Sequence, residues 1–220
     1  IKRPWNKVIH VSLLSILNIV LSKGILNKPE FVLFFQPFLQ ARQLSTEITL
    51  EDLYKETQIE IHFFTLNLNK FEIEDLNHKT YPKLELLTAI QMSSAVPCLV
   101  QPVFFNETCY IDGAFGMNYP IQPCLKEAEN ADEIFGICNI YVETKPREVT
   151  NTSNFFHFII FIFYKMIENI FLNQQHSYIT NELKCPVVQM SIFDFYDTIK
   201  SQSKREELLE QGKKIAEEYI

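Results

Sequence analysis

The stretch Tyr110-Ile111-Asp112-Gly113-Ala114-Phe115-Gly116-Met117-Asn118-Tyr119-Pro120 constrains the fold of this chain more than any other. Its opening residues read as a short apolar strand over 109–111. Asp112 ends that strand, and Gly113 permits a backbone turn that a residue with a Cβ would resist. Asn118 then stands where a helix over 119–129 needs a cap, with Pro120 in its first turn. A strand that runs through a turn into a helix is a unit of layered α/β architecture. A carboxylate at a strand end is also well placed to project into a cleft beyond the sheet edge. Taken alone, the dipeptide reads first as an ordinary Asp-Gly turn between strands.

The rest of the chain extends the same alternation. Apolar residues at helical spacing over 8–21 predict a helix, with Gly24 as its stop. A second helix is expected over 31–39, ended or bent at Pro37. Thr49 is a cap for a helix over 50–54. Residues 59–68 read as a largely buried strand, with 71–74 pairing back across Leu68-Asn69-Lys70. Pro82 opens a helix over 84–92, which Ser93 and Ser94 close and Pro97 keeps from continuing. Residues 103–105 and 109–111 form two strands joined at Asn106-Glu107. Residues 133–142 and 187–192 read as further strands, the former buried, and 203–219 as a charged amphipathic helix.

One segment stands apart. Residues 155–172 hold six phenylalanines and five isoleucines, with Thr152 or Ser153 as the cap. The apolar run is shorter than the roughly 20 residues a membrane span needs. It fits a core helix or a surface helix that meets lipid.

Charge and composition exclude several chemistries. A net charge of −7 argues against a nucleic-acid-binding face. Five glycines in 220 residues leave no Gly-rich phosphate cradle or oxyanion loop here. Cys98, Cys109, Cys124, Cys138 and Cys185 form no Cys-x-x-Cys pair and have no histidine at ligand spacing, so no metal site is expected. Their odd number fits buried thiols in a reducing compartment. The expectation is a cytoplasmic protein without a cofactor. His10, His62, His78, His157 and His176 show no metal-binding or triad pattern, and His62 reads as a hydrogen-bonded structural residue.

The order of short motifs carries the functional signal. The chain reads Ala89-Ile90-Gln91-Met92-Ser93-Ser94-Ala95-Val96-Pro97, then Gln101-Pro102-Val103-Phe104-Phe105, then Tyr110-Ile111-Asp112-Gly113-Ala114, then Asn118-Tyr119-Pro120-Ile121. This order resembles the patatin-like phospholipases, a family of lipid acyl hydrolases. There a helix end with Ser and Pro is followed by a Phe-x-Pro-like stretch, a Tyr-x-Asp-Gly-Gly/Ala motif and Asn-x-Pro. The family's Phe is replaced here by Gln101 or displaced, and Ala114 stands where the family more often has a second glycine. Upstream, Lys23-Gly24-Ile25-Leu26 and Thr49-Leu50-Glu51-Asp52-Leu53 also resemble family segments.

The resemblance implies a three-layer α/β domain with a central, mostly parallel sheet flanked by helices. Residues 1–220 would be part of one such domain, truncated at its N-terminus. The best match lies over about 20–142, with a C-terminal strand and helices over 143–220. It implies a Ser–Asp dyad in which a serine attacks an acyl ester of a phospholipid or other lipid and Asp112 is its base. Gly113, Ala114, Asn118, Pro120, Ser93, Ser94 and Pro97 would shape the site. No serine here lies in Gly-x-Ser-x-Gly, and the family does not use Ser93 or Ser94 as nucleophile. Either the nucleophile lies upstream of Ile1, as the start without methionine suggests, or the protein is a non-catalytic patatin fold that binds lipid or a partner. The residues alone leave a third reading, an unrelated α/β interaction domain with Asp112 on an exposed hairpin tip. Hydrolysis and acyl transfer stay equally open. The Phe-rich segment would give peripheral contact with a membrane.

Overall fold

The computed structural model describes residues 22–97, 99–142, 148–173, 179–188, 197–198 and 200–219. The expected helix over 8–21, Cys98 and most of the expected strand over 187–192 lie outside these. The chain is mixed α/β and divides into two compact units that meet in sequence between Asn118 and Tyr119.

Among the described residues, the first unit is built on three helices and a sheet. Helix α1 (Lys28–Ala41) starts at Asn27, whose N–H donates to the Glu30 carboxylate at 2.9 Å. Pro37 sits inside α1 and does not end it. Helix α2 (Leu50–Thr57) is capped by Thr49, whose Oγ1 accepts from Asp52 N at 3.1 Å. It runs on past the expected end at Tyr54, closing at Gln58 in the left-handed region (φ 56°).

Strands β1 (Phe63–Asn67) and β2 (Glu72–Leu76) pair antiparallel across the expected turn. Helix α3 (Leu86–Ser93) follows, then β3 (Val103–Phe105) and β4 (Thr108–Asp112). Asn106 and Glu107 both have positive φ (48° and 62°), the geometry of a tight two-residue hairpin. The four strands lie in the order β2-β1-β4-β3. Every pairing among them is antiparallel, unlike the mostly parallel sheet expected of the family. The core lies under this sheet. Leu39, Leu50, Leu76, Leu87 and Met92 pack together there, and each fully buried aliphatic side chain contributes roughly 1.5–3 kcal/mol.

A segment at the start of the unit is stitched to the chain beyond α3. Ile25 and Leu26 donate to Leu99 O at 3.0 and 2.8 Å, and Gln101 N donates back to Leu26 O at 2.8 Å. Gly24 is required by proximity, since a Cβ there would stand 2.4 Å from Gln101 N. The left-handed residue is its neighbour Lys23 (φ 66°).

The second unit holds helix α4 (Ile121–Glu127), strand β5 (Phe135–Val142), helix α5 (Phe155–Asn173), strand β6 (Asn181–Val188) and helix α6 (Gln202–Tyr219). Helix α4 begins at Ile121 with Pro120 in the cap position, two residues later than the cap expected at Asn118. Strands β5 and β6 are parallel, and Pro186 sits within β6 opposite Ile140. The expectation of a buried strand over 133–142 is not met: Phe135, Ile137 and Ile140 are exposed, because β5 forms a two-stranded sheet among the described residues.

Helix α5 is capped by Asn154, not by Thr152 or Ser153. Asn154 Oδ1 accepts from His157 N at 2.8 Å, and Ser153 Oγ instead contacts the His157 ring. Phe155, Phe158, Ile162, Phe163 and Met166 are exposed along it. This face therefore lies at the surface. No helix among the described residues is long and apolar enough to cross a membrane.

Candidate functional site

Asp112 is the last residue of β4 and the register partner of Thr65 in β1. Beyond it the chain enters a 3-10 turn, Gly113–Phe115. Two backbone hydrogen bonds fix the residue. Asp112 N donates to Ala95 O at 3.2 Å, in the segment after α3. Asp112 Oδ1 accepts from Ala114 N at 2.8 Å. Ala114 thus contributes its amide to the carboxylate. Among the described residues, Asp112 Oδ2 accepts no hydrogen bond and is available to another donor.

The side chain is half-buried. Burial pushes its carboxyl above the usual aspartate range, and the Ala114 N–H opposes that only in part. A raised pKa makes the ionised form a better proton acceptor, which is what a general base near neutral pH requires.

Gly113 is needed for a close approach. Its φ is not positive. A Cβ would lie 2.4 Å from the carbonyl oxygen of Phe64 and 3.1 Å from Thr65 N, so the turn after Asp112 presses directly on the β1 backbone. Only a residue without a side chain fits there.

The segment of residues 93–97 lies beside Asp112 through the Ala95 carbonyl. Ser94 caps α3: its N–H donates to Ile90 O and Gln91 O at 3.1 and 3.2 Å, and its hydroxyl donates to Ile90 O at 2.7 Å. That hydroxyl is occupied on its own helix. Ser93 is the last residue of α3 and is half-buried. Pro97 is exposed in a tight turn in which Val96 O accepts from Leu99 N and Val100 N at 3.1 and 2.9 Å. Asn118 is half-buried at the end of the first unit. Pro120 belongs to the start of α4.

Two residues beside Asp112 escape a reading of motifs. Ala95, fully buried, supplies the carbonyl for the Asp112 N–H. Thr65, also fully buried, places its hydroxyl 2.8 Å from Ile111 O and 3.1 Å from Met92 O. The sequence does hold a signal for Thr65. It is, with Asn67, one of two polar residues on a strand otherwise made of Phe and Leu, and a polar side chain buried there must find a partner.

A second polar cluster lies further along the same sheet. Glu74 Oε1 accepts from Asn67 Nδ2 at 2.6 Å, while Glu74 Oε2 accepts from Tyr81 and from Tyr110 at 3.2 Å. Burial alone would raise the Glu74 carboxyl, but these donors together hold it below its usual range. Burial and the Glu74 carboxylate push Tyr81 far upward. His62 bonds Asp75 at 2.8 Å. No group of three or more His, Cys, Asp or Glu residues among the described ones could hold a metal ion.

Comparison with known proteins agrees with the motif order. Residues 6–125 match the patatin-like phospholipase family. The match includes Asp112, Gly113 and the 93–97 segment. The chain is also 25% identical over 88 residues to "Probable lipid hydrolase 463L" of Invertebrate iridescent virus 6. That alignment covers 40% of this chain and 30% of the viral protein, so the chain spans under a third of that relative's length. Membership of a known fold family removes the reading of an unrelated interaction domain. The chain belongs to the patatin-like phospholipase family.

Proposed function

We propose that the intact protein is a lipid acyl hydrolase in which Asp112 is the base of a Ser–Asp dyad. A serine upstream of residue 1 would attack the ester carbonyl of a phospholipid or other acyl lipid, passing its proton to Asp112 Oδ2. The tetrahedral oxyanion would be met by backbone N–H groups of a loop that these 220 residues do not contain. Residues 1–220 would then be part of one three-layer patatin-like domain whose nucleophile and remaining strands precede them. Gly113, Ala114, Ser93, Ser94, Pro97, Asn118 and Pro120 would shape the site around the base.

The single observation that carries this reading is the state of Asp112. It is half-buried, raised in pKa by that burial, and, among the described residues, bonded through one oxygen. A purely structural Asp-Gly turn has no need of a desolvated carboxylate.

The absence of Gly-x-Ser-x-Gly from the sequence favours one alternative, a non-catalytic patatin fold that binds lipid or a partner. The protein expressed with its upstream residues separates the two. The hydrolase reading expects labelling by a fluorophosphonate probe and release of fatty acid from phosphatidylcholine. Neither labelling nor release would leave the binding protein.

The same reading makes the protein cytoplasmic and peripheral to membranes, with the exposed Phe155, Phe158, Phe163 and Met166 face of α5 against lipid. Flotation with phosphatidylcholine vesicles tests this, and an intact protein that stays at the bottom of the gradient removes it.

A further inference from the structure

We propose that Thr65 is the positioning residue for Asp112, its hydroxyl tying the C-terminal turn of α3 to β4 beside the carboxylate. The inference rests on the reading of Asp112 as the base and adds what holds that base in place.

Three observations converge on Thr65. It is the register partner of Asp112 across the β1–β4 pair, so the two residues share one face of the sheet. Its hydroxyl reaches Ile111 O at 2.8 Å, the peptide that leads into Asp112. The same hydroxyl reaches Met92 O at 3.1 Å, a carbonyl in the last turn of α3. Carbonyls in that last turn lack partners within the helix. A hydroxyl has one hydrogen, so it is shared between the two acceptors and draws both toward itself.

The geometry closes into a ring. Thr65 holds Met92, Met92 leads through Ser93 and Ser94 to Ala95, and the Ala95 carbonyl receives the Asp112 N–H. On the other side, Gly113 packs against Phe64 O and Thr65 N, so the turn after Asp112 rests on the same two residues. Met92, Ala95 and Thr65 are all fully buried, so no water supplies a substitute donor without opening the segment. Replacing the hydroxyl with a methyl removes the shared donor and leaves the Met92 carbonyl, in the last turn of α3, facing apolar atoms. The 92–95 segment then has reason to move out, and Asp112 loses the cover that desolvates it.

The test uses the protein expressed with its upstream residues and needs no substrate. The Asp112 carboxyl is titrated by carbon-13 NMR, its signal assigned by its disappearance in D112N. T65S keeps the hydroxyl and leaves the midpoint within about 0.2 units of wild type. T65V keeps the volume without the hydroxyl and lowers the midpoint by about half a unit or more, toward an ordinary aspartate. A folded T65V with an unchanged midpoint overturns the proposal, even if it is less stable, because a merely structural role loses stability without moving the titration. A T65S midpoint that falls as far as that of T65V overturns it too. Should T65V not fold, T65C carries the same test, since a thiol is a weak donor of similar size. The readout is independent of activity. Turnover surviving in D112N would end the role of Asp112 as base and leave this result standing, whereas an unmoved T65V would end the role of Thr65 alone.

Discussion

The two compact units place their apolar side chains in opposite ways. In residues 22–118 the aliphatic residues converge: Leu66, Leu76, Leu87 and Met92 are at most 1% exposed, and a polar pair of buried side chains, Thr65 and Asn67, is enclosed with them. In residues 119–219 several of the described aromatic and aliphatic residues lie at the surface. Phe135, Ile137, Phe155 and Phe163 each have more than half their surface in solvent, while Ile121 and Ile179 are buried. Ala95 and Ala114, the hydrogen-bond partners of Asp112 among the described residues, belong to the first unit. High hydrophobicity in a stretch of sequence therefore does not by itself mark the core: the apolar run of α5 presents exposed rings, whereas that of α3 is buried.

The contrast is sharpest under truncation. Leu87→Ala is expected to destabilise the protein by about 2–5 kcal/mol, read by chemical denaturation, because the cavity opens where nothing can collapse into it. A loss within experimental error would mean that the first unit is not the packed one. Gly113→Ala comes next, at about 1–3 kcal/mol, because the new Cβ meets the Phe64 carbonyl and cannot be accommodated by a side-chain rotation. A G113A variant as stable as wild type would contradict the close approach.

A smaller effect follows from the raised pKa of Asp112. Its native state holds the proton more tightly than the unfolded chain, so the native state binds more protons and stability falls as pH rises. The favourable contribution is complete below the ordinary aspartate pKa and is lost as pH climbs through the raised value. Asp112→Asn removes this dependence, so the stability difference between wild type and D112N should change in that window and stay flat above it. A flat difference throughout would show that the carboxyl is not desolvated. The smallest effect is Phe163→Ala, within about 0.5 kcal/mol, since its ring is already in water. A large loss there would mean that the second unit hides its aromatic face.

The order of elements is legible in the sequence because caps and turns are local chemistry. Thr49 caps α2 through a bond to a residue three positions away, and Asn106-Glu107 closes the β3–β4 hairpin within itself. Where the sequence misleads, another local residue competes. Asn154 outdoes Thr152 and Ser153 as the α5 cap, and Pro120 takes the cap position expected of Asn118. Pro37 reads as the end or a bend of a helix over 31–39, and α1 continues through it to Ala41. The antiparallel pairing of β1 with β4 joins residues some 45 positions apart, which periodicity cannot register. The candidate site divides the same way. The position of Asp112 at a strand end and the need for Gly113 can be read from two adjacent residues. The reason for Gly113 cannot, since it is the distant Phe64 carbonyl. The contributions of Thr65 and Ala95 exist only once three separate segments meet.

The central claim is that the enclosed carboxylate of the first unit is the base of an acyl hydrolase. The most direct measurement is fatty-acid release from phosphatidylcholine by the protein expressed with its upstream residues, wild type against D112N. Asparagine keeps the shape and can still accept a hydrogen bond, but it cannot take a proton. The expected result is a fall in kcat of about 10²–10⁴-fold with little change in fold. Turnover in D112N equal to that of wild type would contradict the claim.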